Sequence, residues 1–338
     1  MRRAILACGA CLWLVTIAAS IHVGAQGNPA VRARVPDLQG LYNTATITPL
    51  ERPAALAGKP TLTRSEAEAW AREFLAANDI DRRDGDAASD VTRAYNNAFL
   101  DRGSSMASIA GVFRTSIIVD PPDGRIPRLT PDGQRRVAAE RAANARPTSD
   151  TGENGGPTGA GAYDNPEQRP LAERCLLGFG STSGPPALPV LYNNFKQIVQ
   201  TPDSVMILNE MVHDVRVVRL GATHLPPHVR RWMGDSIGHY EGDTLVIDTT
   251  NFTDKTSFRG ASDRLHVVER ITRLDPQTLL YRFTVEDPSV WAQPWSGEYP
   301  WVATDDQLFE YACHEANLAL GNILSGARFQ EKNAASRP

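Results

Sequence analysis

The sequence has no marked excess of charge of either sign. Its 338 residues include 35 Lys and Arg against 39 Asp and Glu, which gives a formal net charge of -4. Because a basic excess is missing, the composition offers no electrostatic attraction for nucleic acid, and we expect no nucleic-acid partner. The hydrophobic fraction of 41% is enough to build a core, so the composition excludes a disordered chain.

Long apolar runs are missing after the N-terminus. The chain opens with Met1 and two arginines, runs apolar to Ile21 and then reaches small residues around Ala25. This order is typical of a secretory signal peptide. The alternative is a membrane anchor, which needs about 20 apolar residues with clear flanks. We predict that residues 1–25 are a signal peptide and that the mature protein is periplasmic or secreted, with no transmembrane anchor.

Cysteine is scarce, with 4 residues in the chain. Cys8 and Cys11 lie in the predicted signal peptide, which leaves Cys175 and Cys313 in the mature protein. Thiols of exported proteins can pair in an oxidising compartment. We predict a disulfide between Cys175 and Cys313; the alternative is two buried free thiols.

Motifs for nucleotides and metals are also missing. Neither a P-loop nor a G-x-G-x-x-G sequence occurs. His224 and His228 have the spacing of a zinc-binding helix, but Pro226 and Pro227 between them prevent that helix. His314 is not followed by the second His of a zincin helix. We therefore predict no cofactor and no metal site.

Residues 26–174 are predicted to form an extended and helical N-terminal segment. Thr63 and Glu66 make a capping-box signature before apolar residues at helical spacing, which predicts a helix to about Ala77. A strand is predicted over residues 113–119.

A second helix is predicted after Thr130, because Pro131 suits the first helical position. Residues 147–170 are rich in Gly, Pro, Ser, Thr, Asn and Asp, and this composition predicts a flexible connector.

The C-terminal half, residues 175–330, reads as a series of short strands separated by turn residues. The candidate strands are residues 195–200, 205–208, 215–220, 237–240, 244–249, 265–274, 278–285, 301–303 and 308–312. Strands in this order predict a mainly β fold built from an antiparallel meander. Because open edges invite aggregation, we expect the meander to close into a lipocalin-like barrel, on which the N-terminal segment wraps. A two-sheet sandwich is the alternative.

The six histidines outside the signal peptide all lie in the β half, where they could serve acid–base chemistry. His314 with Glu315 is the first candidate for a catalytic pair, because a helix is predicted to begin there. His213 with Asp214 and Glu210 is the second. Capping of a helix and polarity at a bend are the plain structural alternatives for these two groups.

The β half also supplies candidate ligand-binding side chains. Flat aromatic rings and cations on alternate strand positions are what a small-molecule pocket uses. The candidates are Trp291, Trp295, Trp301, Arg270, Arg282 and His239. The alternative is that the aromatic rings fill a β core.

Several short sequence segments, taken together, resemble those of a large group of uncharacterised exported bacterial proteins. They are residues 48–53, 114–127, 234–236, 240–246, 265–270, 283–288 and 311–317. The resemblance spans nearly the whole mature chain and implies no activity. In such relatives a Gly often stands where this chain has Ala316, so the turn there is expected to differ.

Two functions from different classes are compatible with these features. The first is a cofactor-free lyase, hydrolase or isomerase whose barrel admits a small organic molecule. The second is a binding protein of the cell envelope with the same pocket and no chemistry. A structural envelope component is a weaker third reading, because the sequence has no internal repeat.

Overall fold

The computed structural model describes residues 35–82, 97–145, 161–178, 184–256, 258–315 and 317–336. A compact unit begins at Pro36. The predicted signal peptide and most of the predicted connector, residues 147–160, lie outside the described residues.

Thirteen strands and three α-helices occur in the described part of the chain. The strands are β1 (Gly40–Asn43), β2 (Thr61–Leu62), β3 (Ser108–Ile109), β4 (Val112–Arg114), β5 (Ile118–Asp120), β6 (Phe195–Gln200), β7 (Ser204–Asn209), β8 (Val215–Leu220), β9 (Asp235–Glu241), β10 (Thr244–Thr250), β11 (His266–Asp275), β12 (Thr278–Glu286) and β13 (Trp295–Ala303). The helices are α1 (Arg64–Ala77), α2 (Pro131–Ala145) and α3 (Ala319–Ala335).

Nine strands close into a β-barrel in the order β1-β6-β7-β8-β9-β10-β11-β12-β13. The short strand β1 closes it, because it pairs antiparallel with β6 on one side and with β13 on the other. The predicted barrel is therefore confirmed and the sandwich is not formed. One strand of its wall comes from the N-terminal segment.

The barrel is not antiparallel throughout, as a simple meander would be. β8 and β9 run parallel and pair only at Arg219↔Ile237 and Leu220↔Gly238. Residues 221–234 connect them by crossing back to the end of the barrel where β8 begins. All other neighbouring strands of the barrel are antiparallel.

Two differences from the predicted strands lie in the part of the chain after β12. β13 begins at Trp295 rather than 301, because Gly297 and Pro300, residues that usually break strands, lie inside it. A side chain at Gly297 would collide with the ring of Phe283, so the position needs glycine for close packing. The predicted strand at 308–312 is not a strand in the structure.

The predicted strand over residues 113–119 is divided into β4 and β5. Between them Thr115 and Ile117 leave the strand direction, and their backbone N–H groups bind the carbonyls of Pro60 and Pro49. β5 adds to the outer edge of β13, whereas β4 joins β2 and β3 in a small second sheet. The helix α1 packs on that sheet through Trp70 and its neighbours.

The helix starts confirm the sequence signals. Thr63 Oγ1 accepts a hydrogen bond from the N–H of Glu66, and the Glu66 carboxylate accepts one from the N–H of Thr63 at 2.8 Å. Thr130 Oγ1 accepts from the N–H of Gly133 at 3.0 Å at the start of α2. None of the described helices is long and apolar enough to cross a membrane.

The disulfide between Cys175 and Cys313 is confirmed, with 5.7 Å between the two Cα atoms. It joins the segment before β6 to the segment after β13, across a sequence separation of 138 residues. A bond that closes so long a loop restricts the unfolded chain strongly.

Replacing both cysteines with serine should therefore lower the free energy of unfolding by about 4–5 kcal/mol, on the chain-entropy account. Urea unfolding of the double variant and of the wild type checks this. Reduced wild-type protein is the control and should match the variant. Equal midpoints for the variant and the oxidised wild type would contradict the expectation.

Candidate functional site

A layer of buried charged and polar side chains crosses the interior of the barrel, close to the end where β6 and β8 begin. Alternation along the strands turns Lys196, Asn209, Arg216, Glu269 and Tyr281 inward. Arg216 is 5% exposed and Glu269 is 0% exposed. Charged groups this deeply buried need compensating partners.

Arg216 and Glu269 compensate each other. The two terminal guanidinium nitrogens face the two carboxylate oxygens, with Nη2 2.9 Å from Oε1. Tyr281 donates its hydroxyl hydrogen to the same Oε1 at 2.7 Å. Burial, together with the charge of Glu269, raises the pKa of Tyr281 well above its ordinary value. The Nε–H of Arg216 is buried and has no partner among the described residues.

Lys196 lacks such compensation. Its Nζ donates to Asn209 Oδ1 at 2.8 Å and lies 6.0 Å from the ring centroid of Trp301. No described carboxylate lies within 4.0 Å of it. Burial, reinforced by the positive charge of Arg216, lowers the pKa of Lys196 from 10.5 to about 7. The amine is therefore divided between its charged and neutral forms near neutral pH.

The two tyrosines of this layer are held by the backbone of Ala187. The N–H of Ala187 donates to the Tyr281 hydroxyl at 2.8 Å, and the Tyr299 hydroxyl donates to the Ala187 carbonyl at 3.0 Å. Burial raises the pKa of Tyr299. Both hydroxyls are therefore engaged in holding the segment around Ala187 against the barrel.

A cleft reaches this layer through the wall between β8 and β9. Below their two paired positions these strands diverge and leave a cavity of about 330 Å³. Arg216 and Ser236 line it from the interior, Asp214 and Val217 from the β8 side, and Trp232 from the loop before β9. The cleft thus exposes one member of the buried ion pair to a molecule of ligand size.

The histidines of the two predicted catalytic groups lie near each other, on the outside of the barrel. The ring centroids of His213 and His314 are 6.5 Å apart, and His213 Nδ1 lies 2.7 Å from the carbonyl oxygen of Tyr311. Both histidines and Glu315 are exposed. α3 begins at Ala319, so the predicted helix does not start at His314.

The two other predicted carboxylates adjoin the buried layer. Glu210 is 6% exposed and accepts a hydrogen bond from the N–H of Phe195 at 3.3 Å. Asp214 lines the cleft. The negative charges of both act on the pKa of Lys196 against the effect of burial.

The predicted aromatic residues lie inside the barrel and are packed. Trp291, Trp295 and Trp301 are at most 2% exposed. Trp295 stacks on Phe258 with 6.2 Å between ring centroids, and Trp301 stacks on Tyr281 at 4.7 Å. Trp301 borders the polar layer, whereas the other two belong to the apolar core.

The other predicted ligand-binding residues face outward. Arg270 pairs with Glu241 at 2.5 Å, and His239 Nε2 lies 3.1 Å from the same carboxylate. Arg282 pairs with Glu298 at 2.5 Å. Because side chains alternate along a strand, the residues next to these three in the sequence face the interior of the barrel instead.

Sequence reasoning missed Lys196, Arg216 and Glu269. The sequence contains a signal for them, because each lies at an alternate position of a strand whose other inward-facing residues are mostly apolar. Arg216, for example, is two residues from Val218, and Glu269 lies between Val267 and Ile271. A charge in such a row predicts a buried polar site.

A second polar cluster lies on the outer face of the wall. Asp248 Oδ1 is 3.0 Å from His224 Nε2 and 3.1 Å from His266 Nε2, while His224 Nδ1 lies 3.2 Å from Asp235. Bonding to His266 lowers the pKa of Asp248, and bonding to Asp248 raises the pKa of His266. Among the described residues, no group of His, Cys, Asp and Glu has the arrangement of a metal site.

Residues 234–238 match the pattern G-x-S-x-G of serine hydrolases. The nucleophile of those enzymes stands at a turn from a strand into a helix. Here Ser236 follows a loop and begins β9, and its hydroxyl bonds to Thr249 Oγ1 at 2.9 Å. No hydrogen bond joins Ser236 to a described histidine, so the motif does not form a nucleophile elbow.

Comparison of the chain with protein-family models, with curated proteins and with solved structures finds no match.

Lys196→Met should remove a pH dependence of stability. Between pH 7 and pH 10.5 the unfolded chain holds a proton on Lys196 that the folded chain has lost, so wild-type stability gains up to about 1.4 kcal/mol per pH unit from this group. Urea unfolding across this range checks the difference between variant and wild type. Lys332→Met, on the exposed helix α3, is the control and should keep the wild-type slope. A K196M slope equal to the wild type would contradict the burial argument.

His266→Gln should change stability in the opposite pH direction. Because the folded-state pKa of His266 is raised, its stabilisation is complete below the ordinary value of 6.5 and is lost as pH rises through the folded value. The stability difference between wild type and variant is expected to be larger at about pH 5 than at about pH 9. Thermal unfolding measures it, with His228→Gln as the exposed control. A difference that is constant with pH would refute the assignment.

Proposed function

We propose that the barrel takes up a small organic molecule in the cleft between β8 and β9, and that Lys196 performs cofactor-free acid–base chemistry on it. The observation that carries the proposal is a buried lysine with one neutral hydrogen-bond partner, in the same layer as an arginine that lines a cleft. Proteins seldom bury an uncompensated lysine, and perturbed groups of this kind concentrate at functional sites.

The chemistry follows from the two cations. An amine with a pKa of about 7 can accept a proton as a base and return it as an acid at neutral pH. The free Nε–H of Arg216 can stabilise negative charge that develops on a bound carbonyl or carboxylate. Elimination, isomerisation and hydrolysis each need these two roles, so a lyase, an isomerase and a hydrolase are the reaction classes that fit.

A binding protein without chemistry is the second candidate. The observation that favours it is that all six described histidines lie outside the barrel interior, while Glu269 and both buried tyrosines are engaged in structural bonds. In this case Arg216 and Lys196 would recognise a ligand rather than act on it.

Export to the periplasm or the medium is part of the same proposal. The disulfide supports it, because such bonds persist in oxidising compartments. The resemblance to exported bacterial proteins points in the same direction.

The test is a thermal-shift screen against sugars, aromatic compounds and small organic acids, followed by turnover assays on any ligand found. A ligand that binds only the folded state should raise the midpoint of wild type, Lys196→Met and Lys332→Met. Turnover should persist in K332M and fall by at least about 100-fold in K196M, with a pH profile that has a limb near 7 in the wild type.

Each outcome decides between the candidates. Unchanged turnover in K196M would eliminate Lys196 as the acid–base group. Binding without any turnover by the wild type would leave the binding protein. If no compound in the screen shifts the midpoint of the wild type, the uptake proposal fails for these three classes.

A further inference from the structure

The wall of the barrel has an open strand edge in the cleft. The N–H of Asn209 bonds to the carbonyl of Asp214, and that of Leu220 bonds to the carbonyl of Asp203, each at 2.8 Å. These bonds show that alternate residues of β8 direct their backbone groups toward β7. The residues between them, Val215 and Val217, therefore direct theirs toward β9.

β9 does not meet these groups. Its pairing with β8 begins only at Arg219↔Ile237, so Val215 and Val217, which pair with β7 on their other side, have no partner strand on the β9 side among the described residues. Their side chains are 49% and 48% exposed, on the outer face. Unpaired N–H and C=O groups at alternate positions are a template for an added extended strand.

Two charged groups of opposite sign line the cleft at different depths, together with the exposed Arg231. Arg216, with its unpartnered Nε–H, lies buried at the floor of the cleft, and Lys196 lies beside it in the same layer. Asp214, which is half-buried and directly precedes β8, also lines the cleft. A ligand with a carboxylate directed inward and an ammonium directed outward complements both.

We infer that the ligand of the cleft is a short extended peptide with free termini, which adds as a strand to the edge at Val215 and Val217 and directs its carboxylate toward Arg216. This inference rests on the proposed ligand site and names its substrate class. A cavity of about 330 Å³ is at the small end of the range for ligand sites, so it limits the peptide to a few residues.

The probes are trialanine and two derivatives that are N-methylated at the second or at the third residue. Calorimetric titration into the full chain should detect trialanine. Because only alternate residues of an added strand face β8, one methylated derivative should bind at least about 10-fold more weakly and the other about as well as trialanine. Equal affinity of all three would overturn the strand-addition inference.

The Val217→Pro variant tests the protein's contribution to the backbone hydrogen bonds between β8 and the added peptide. It deletes the N–H that faces the cleft and leaves the bonds to β7 in place, because the N–H of Val217 does not point toward β7. Trialanine should bind about 10-fold more weakly to V217P, whereas Val217→Ala, which keeps the N–H, should bind within about 2-fold of the wild type. The methylated peptides test the wild type and stand even if V217P fails to fold.

The outcomes separate this inference from the proposed function. If organic acids raise the thermal midpoint and peptides do not bind, the small-molecule site stands and the peptide class is eliminated. If neither binds, both fail. A concentration-dependent dimer that V217P abolishes would instead assign the edge to a second copy of the chain and overturn the peptide inference.

Discussion

The polar layer inside the barrel depends on the buried ion pair of Arg216 and Glu269. Taking two charges out of water costs several kcal/mol for each ion, and the attraction between them repays that cost only with good geometry and additional bonds. Here the guanidinium meets the carboxylate with two nitrogens, and Tyr281 adds a third bond to Glu269. Tyr281 in turn receives the N–H of Ala187. The bonds that compensate this one carboxylate therefore connect three strands of the barrel, β8, β11 and β12, with the segment that packs against them.

Lys196 belongs to the same layer but lacks this compensation. Glu269 has one unit of negative charge, and Arg216 already meets both of its oxygens. The lysine is left with a neutral amide and an aromatic ring. The protein lowers the cost by letting the amine lose its proton, which is the reason for the depressed pKa. The lowered pKa of the Lys196 amine is therefore a physical consequence of burying it beside the positive charge of Arg216.

Much of the fold was predictable because it depends on local chemistry. The capping box at Thr63, the hairpin turn at Gly242 and the alternation along β10 all act between near neighbours. The pairing of β1 with β13 and the parallel contact of β8 with β9 join residues far apart in the chain, and no local pattern specifies them. The site was harder for the same reason. Only strand direction decides whether a side chain such as Arg270 or its neighbour Glu269 faces inward, and the residue types alone do not give that direction.

The parallel contact also explains why the wall opens where it does. A parallel connection must cross back along the barrel, and residues 221–234 make that crossing while His224 is held by Asp235 and Asp248 on the outer face. The crossing brings β9 alongside only the end of β8, so the start of β8 keeps an unpaired edge directly over Arg216. The break in the wall and the uncompensated buried cation thus have separate origins, one in topology and one in charge balance. The break lies at β8 and the uncompensated amine of Lys196 lies on β6, and Arg216, which lines the cleft and belongs to the same buried layer, connects the two.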